Sequence, residues 1–260
     1  SLTGETKRRG DRSKLPQILQ GDLAGTGRII TPTLGTRELE PWTVGFEKYD
    51  DSVKILGGPR NALNAKFRTT GSFEVKLSKP LPATLYAKGI LTKGTLEADL
   101  KSLNLDFDAL NTLLNIPFFH IVEGQGFGEL KITGPFNDPD FYGTIQLLEA
   151  VAENPLIPED LGPFSKGLVF DGKLFSIDDV SINAGSGKVR VNADFVMDHW
   201  VPRQYSIRVV TEEGRALPMA GNFAGVVVDG FALGNIDIDG DFSGVDITGN
   251  LRIVDADVDL

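Results

Sequence analysis

The sequence predicts an all-β protein, an elongated array of strands with one or two short helices. Three observations predict it. Apolar and polar residues alternate along most of the chain, the period of a strand with one dry face. Glycine makes up 30 of the 260 residues, well above the ordinary ~7%, at intervals that suit turns between strands. And one segment of strand–turn–strand character occurs twice, which points to an array of repeated units rather than to a compact enzyme.

The first 20 residues read as a flexible polar tail. They carry the one basic cluster, Lys7, Arg8, Arg9, Arg12 and Lys14, with little apolar periodicity around it. Residues 21–260 read as one continuous array, with repeat units at about 94–199 and 200–260, the second truncated. Phe73, Val75 and Leu77 alternate with Glu74 and Lys76. Leu96, Ala98 and Leu100 continue the pattern, followed by Leu103, Leu105 and Phe107. A short helix is expected at Asp108–Leu114, with Asp106 or Asp108 as N-cap and Leu110, Leu113 and Leu114 on one face. A second helical turn or two is expected from Pro158 to Leu161, limited by Pro155, Pro158 and Pro163. Val189, Val191, Ala193 and Phe195 then alternate with Arg190, Asn192 and Asp194, and Ile207 and Val209 flank Arg208. Stretches 59–64, 80–82 and 154–163 read as loops within the array.

The duplicated segment begins at Gly128 and returns at Gly234, an offset of 106 residues. Seven of 25 aligned positions are identical without a gap. The shared residues include Gly128/Gly234, Ile132/Ile238, Gly134/Gly240, Gly143/Gly249 and Ala150/Ala256. The alignment puts Ile132 and Ile238 at equivalent inward positions, and Gly134 and Gly240 at equivalent strand ends.

Bulk numbers exclude several functions. A formal net charge of −10 and a pI of about 4.8 argue against a nucleic-acid partner. The absence of cysteine removes disulfides, thiol nucleophiles and cysteine-based metal sites. No stretch approaches the ~18–20 apolar residues of a membrane span. The chain reads as an excerpt of a longer protein.

Motifs with a chemical look have plainer explanations. Asp237-Ile238-Asp239-Gly240-Asp241 mimics the start of a calcium loop, but Phe242 stands where glycine belongs and Thr248 where the loop's glutamate belongs. His120 and His199 lack ligand spacing and read as local hydrogen-bonding residues. Ser186, in Gly185-Ser186-Gly187, is outside any nucleophile-elbow pattern. Gly124-Gln125-Gly126-Phe127-Gly128 opens a strand, so it presents no helix N-terminus to a phosphate. No cofactor and no catalytic residue are expected.

The pattern Gly128-x-Leu130-x-Ile132-x-Gly134-x-x-x-x-Pro139-x-x-x-Gly143-x-Ile145-x-Leu147 resembles the repeat of the TamB/AsmA-like family. The lead-in Leu103–Phe107, the stretch Pro163–Gly172 and the segment Ile177–Val191 resemble its neighbouring elements. The second copy departs from the pattern at Val245, where the first has Pro139. The resemblance covers roughly 94–260; residues before that match it poorly. It implies an elongated, open sheet curled into a trough with an apolar interior, standing in the periplasm of a diderm bacterium and held to the inner membrane by an anchor outside this chain. It further implies outer-membrane biogenesis: carrying phospholipid acyl chains between membranes, or helping outer-membrane protein assembly with a BamA-family partner such as TamA.

A sheet with one apolar face must cover it, because each large aliphatic side chain left in water forfeits about 1.5–3 kcal/mol. Either two faces close into a dry sandwich or solenoid core, or the face lines a groove. On the groove reading Leu130, Ile132, Ile145, Leu147, Val189, Val191, Ile236, Ile238, Leu251 and Ile253 point inward. Glu129, Lys131, Gln146, Lys188, Arg190, Asp237, Asp239 and Arg252 then face water. Two other classes compete. An extracellular or surface β-solenoid adhesion protein would show short regular coils, and 106 residues is too long for one coil. A polysaccharide-acting β enzyme would need aromatic platforms, and there are two Trp and four Tyr.

Overall fold

Strand–turn–strand units follow one another for most of the chain's length. A computed structural model describes residues 2–8, 23–29, 33–34, 37–38, 42–114, 119–223, 226–241 and 243–259. Strand accounts for 80% of the protein, in an antiparallel sheet not closed into a barrel, with one short helix. The expected all-β open curled sheet is therefore present. The strands are β1 (Leu2–Arg8), β2 (Leu23–Ile29), β3 (Thr33–Leu34), β4 (Arg37–Glu38), β5 (Trp42–Tyr49), β6 (Ser52–Gly57), β7 (Leu63–Arg68), β8 (Ser72–Leu77), β9 (Ala83–Thr92) and β10 (Thr95–Asp106). After the helix α1 (Phe107–Leu114) come β11 (His120–Pro135), β12 (Asp140–Asn154), β13 (Ile157–Gly172), β14 (Leu174–Ala184), β15 (Gly187–Asp198), β16 (Val201–Thr211), β17 (Leu217–Phe223), β18 (Val226–Asp241) and β19 (Val245–Asp259).

The chain divides into two units, 1–105 with 129–139, and 106–128 with 140–260. The division falls inside β11, between Gly128 and Glu129, and not near residue 199, where the repeat placed its boundary. The repeat marks equivalent hairpins rather than separate cores. In the first unit β1, β2, β5, β6, β7, β8, β9 and β10 pair in that order, all antiparallel. Leu2–Arg8 is thus a strand and not part of a polar tail, because every residue from Leu2 to Arg8 faces a partner in β2. Arg9, Arg12 and Lys14 lie outside the described residues. Leu96, Ala98, Leu103 and Leu105 are buried on β10, and Leu130 and Ile132 on the end of β11.

In the second unit β12 to β16 form a meander, β16 pairs with β18, and β18 pairs with both β17 and β19. The two copies of the repeat are the hairpins β11–β12 and β18–β19. Gly134 and Gly240 each stand one residue before the end of their strand. Gly128 is required by its neighbour strand, since a Cβ there would run into the Thr144 carbonyl.

Several strands switch the parity of their apolar positions midway. On β12, Ile145 and Leu147 are buried, then Ala150 and Ala152; on β14, Phe175 and Ile177, then Val180, Ile182 and Ala184. An odd step in the sequence can keep one face dry only if the ladder absorbs an extra residue, and the register shifts between Leu147 and Ala150 and between Ile177 and Val180. Glu149 (φ 46°) and Asp179 (φ 50°) occupy the bulges. Side chains from the next strand catch the displaced amides: the Glu149 N–H donates to Ser165 Oγ at 3.0 Å and the Asp179 N–H to Asn192 Oδ1 at 2.8 Å. Bulges bend a strand and tighten its twist, which curls the sheet around its apolar face. β10 shows the same device, with Ser102 at φ 54° between Leu100 and Leu103.

Helix α1 starts where the capping residue predicts, with the Ala109 N–H donating to Asp106 Oδ1 at 3.1 Å. Phe107, expected as the last inward residue of the preceding strand, is instead the first helical residue and is exposed. Leu110 is fully buried. Asn111 fastens the helix to β11 in the manner of a strand partner: its Nδ2 donates to the Ile121 carbonyl and its Oδ1 accepts from the Ile121 N–H, each at 2.8 Å. The helix packs on β16. The second helix expected at Pro158–Leu161 does not form; those residues belong to β13, with Leu161 opposite both Ala152 and Ala184. Cross-strand burial of Leu161 outweighs the turn signal of the prolines. The loop expected over 154–163 shrinks to the turn Pro155–Leu156 for the same reason.

Candidate functional site: an apolar groove in the second unit

The inward faces of β12 to β19 do not close on one another. They leave a cavity of ≈ 400 Å³. Leu147 of β12 contributes, with Leu161, Phe164 and Leu168 of β13 and Ile177, Val180 and Ile182 of β14. Val189, Val191, Ala193 and Phe195 of β15 follow, then Tyr205, Ile207 and Val209 of β16, and Leu217 and Met219 of β17. Ile236 and Ile238 of β18, Val245, Ile247 and Leu251 of β19, and Phe119, Ile121, Leu156 and Ile157 complete the wall. Asn154 and the Tyr205 hydroxyl are the polar side-chain groups among them.

Beneath one part of the groove runs a stacked row of rings. Phe170 and Phe175 stack at 4.8 Å and Phe175 and Phe195 at 4.5 Å, each pair directly opposite across its ladder. Tyr205 lies opposite Phe195 and extends the row to Gly240. Glycine is required there, because a Cβ at 240 would run into the Tyr205 ring and hydroxyl. At the other end β17 reaches back over the sheet, and the Ala220 N–H donates to the Leu156 carbonyl at 3.0 Å. The wall reaches solvent: Ile247 is 60% exposed, Leu251 40% and Leu156 42%. Native cores hold few voids larger than a water molecule, so a space of this size is a built feature. It falls within the ~300–1,000 Å³ of small-molecule sites.

The outer face carries the charges that the alternation assigned to it. Arg190 pairs with Asp179 at 3.3 Å, Lys188 with Glu212 at 3.1 Å and Arg208 with Asp237 at 3.7 Å. Asp237 and Asp239 thus serve the outer face of β18. His199 bonds its neighbour Asp198 at 2.7 Å.

Both ends of the groove adjoin acidic depressions of ≈ 540 Å³ each. One contains Asp194, Asp239, Asp241 and Asp246, outward residues that alternate with the groove-lining Phe195, Ile238 and Val245; it lies on the outer face and meets the groove only at Tyr205 and Val245. The other contains Glu153, Glu159 and Asp160, and shares Phe119, Asn154 and Ile157 with it. Hydrogen bonds from the Ser243 hydroxyl and N–H, each 2.6 Å, hold Asp241 below the usual carboxylate range. The Tyr205 hydroxyl is buried with no hydrogen-bond partner among the described residues. Burial, and then the charge of Asp241, raise its pKa, so it stays a protonated donor.

Of the ten residues expected to line a groove, Leu147, Val189, Val191, Ile236, Ile238 and Leu251 do. Ile145 is 1% exposed and packs inside the sheet rather than on the cavity. Leu130 and Ile132 are buried, but β11 has passed into the first unit by Glu129. Ile253 points the same way as Leu251 but lies past the cavity, opposite Ala232, and is 41% exposed. Ile132 and Ile238 both point away from solvent, Ile132 into packing and Ile238 into the groove. Sequence reasoning missed Phe164, Leu168, Ile177, Tyr205, Leu217 and Met219. Tyr205 shares the parity of Ile207 and Val209, and Leu217 and Met219 alternate about Pro218, so the signal was there in part. No protein-family model, curated protein or solved structure matches the chain.

Proposed function

We propose that this chain is a segment of a TamB/AsmA-like protein that carries lipid acyl chains across the periplasm during outer-membrane biogenesis. The observation that carries the reading is the groove: some two dozen apolar side chains around an unfilled space, with its wall running out to solvent. An acyl chain needs width and slip rather than directed hydrogen bonds, and aliphatic walls offer both. Each methylene moved from water onto such a wall contributes about 0.8 kcal/mol. Ten methylenes therefore offer about 8 kcal/mol, against an association cost of about 4 kcal/mol or more. The inner-membrane anchor and a BamA-family partner such as TamA belong to the same proposal, supported by the repeat pattern beginning at Gly128. The antiparallel meander counts against the solenoid reading, whose coils stack parallel strands.

A photo-crosslinking amino acid placed at Val191 or Ile238 tests the reading. In cells it should capture phospholipid, whereas the same group at Arg190 or Asp237, on the opposite face, should not. Equal lipid capture from both faces, or none from the wall, would refute the groove's role.

A further inference from the structure

We propose that Tyr205 is the polar anchor of the groove, donating its hydroxyl to the ester carbonyl of an acyl chain, so that the groove takes ester-linked lipids over ether-linked lipids with the same tails; this rests on the reading of the groove as an acyl-chain site. The observation is a buried donor without an acceptor on a wall otherwise made of hydrocarbon. The Tyr205 hydroxyl has no hydrogen-bond partner among the described residues. Native proteins pair the large majority of such groups, and leaving one unpaired is costly. Asn154, the other polar side chain of the wall, is engaged: its Oδ1 accepts from the Leu156 N–H at 2.9 Å.

Position and parity put this group where a ligand can reach it. Tyr205 shares the inward face of β16 with Ile207 and Val209, and lines the cavity with them. Its ring lies over Gly240, its partner on β18, where a Cβ would run into the hydroxyl. Gly240 has no side chain to hold the ring, so a small rotation carries the hydroxyl into the cavity. Burial, and then the charge of Asp241, keep the phenol protonated, so it meets a ligand as a donor. An acyl ester brings a carbonyl oxygen, an acceptor without a donor, at the head of an apolar tail. An ether oxygen is a poorer acceptor, and a bare hydrocarbon has none. The headgroup takes no part in this choice, because Asp194, Asp239 and Asp246 stand on the opposite face of the strands.

The test incubates the full chain with vesicles containing equal amounts of two phosphatidylethanolamines that share headgroup and tails, one ester-linked and one ether-linked. Lipid on the re-isolated protein is then counted by mass spectrometry. The expected result is enrichment of the ester form about two- to tenfold, the scale of one hydrogen bond. Tyr205→Phe should bring the ratio to unity. It should unfold at no lower urea concentration than the wild type, since the hydroxyl it removes has no partner among the described residues. The infrared stretch of an isotope-labelled ester carbonyl should move to lower frequency on the wild-type chain and not on Tyr205→Phe, a signature that a merely structural role for the ring would not produce. Wild-type lipid in the vesicle ratio, an unshifted carbonyl, or an ester preference that survives in Tyr205→Phe would overturn the anchor while leaving the groove intact. No bound lipid of either kind would overturn the groove reading and the anchor with it.

Discussion

Phe175 and Ile238 stand for two kinds of apolar residue in the second unit. Phe175 is fully buried between two rings; Ile238 is half-buried and faces the cavity. Removing the first leaves a hole in packed structure, so Phe175→Ala should cost about 3–5 kcal/mol in urea unfolding. A carboxylate at the second can hydrate through the open wall, so Ile238→Asp should cost at most about 2 kcal/mol. A loss at Ile238 as large as that at Phe175 would mean that the wall is closed and dry. Gly240 gives a second residue-scale prediction. Gly240→Val should destabilise by about 1–3 kcal/mol through overpacking against the Tyr205 ring. Tyr205→Ala in the same chain should recover much of that loss, a coupling that a double-mutant cycle would read directly. At this scale the sequence was informative about direction and poor about depth. Val191 and Ile145 share the same alternation, yet one faces space and the other is sealed in packing. Alternation reports which face a residue takes, whereas depth depends on where the curled strands come to lie.

Among the elements, α1 owes its place less to its amphipathic face than to one amide. The paired bonds from Asn111 to Ile121 make this side chain a substitute for a strand. Asn111→Ala leaves the Ile121 carbonyl and N–H without these partners and should cost about 1–3 kcal/mol. Hydrogen exchange over 107–114 should quicken well before exchange in β14 and β15 does; unchanged protection in α1 would show that burial of Leu110 alone holds the helix. The bulges were written in the sequence as parity switches, most plainly where Leu96-Ala98-Leu100 gives way to Leu103 and Leu105. The duplicated hairpin was legible as well, since β11–β12 and β18–β19 begin and end at matching positions. The misread element was 157–161. Three prolines suggested a helical turn, but proline is tolerated in a strand where its missing N–H is not needed, and the burial of Leu161 decides the matter.

For the molecule as a whole, the charge pattern and the apolar groove belong to one account. The cavity wall is almost free of polar atoms, while Asp194, Asp237, Asp239 and Asp246 take the opposite face of the same strands. That separation fits an apolar ligand in the groove, and the acidic excess was legible in the sequence as a net charge of −10. Grouping Asp194 with Asp239, Asp241 and Asp246 requires the register of β15 to β19, which no local pattern supplies. The most direct test of the central claim is the lipid content of the folded second-unit groove. The purified chain, incubated with phospholipid vesicles and separated from them, should carry about one lipid per chain by native mass spectrometry. Ile238→Asp, still folded by circular dichroism, should carry little or none. A folded wild-type chain that carries no lipid, or an Ile238→Asp variant that carries as much as the wild type, would contradict the account.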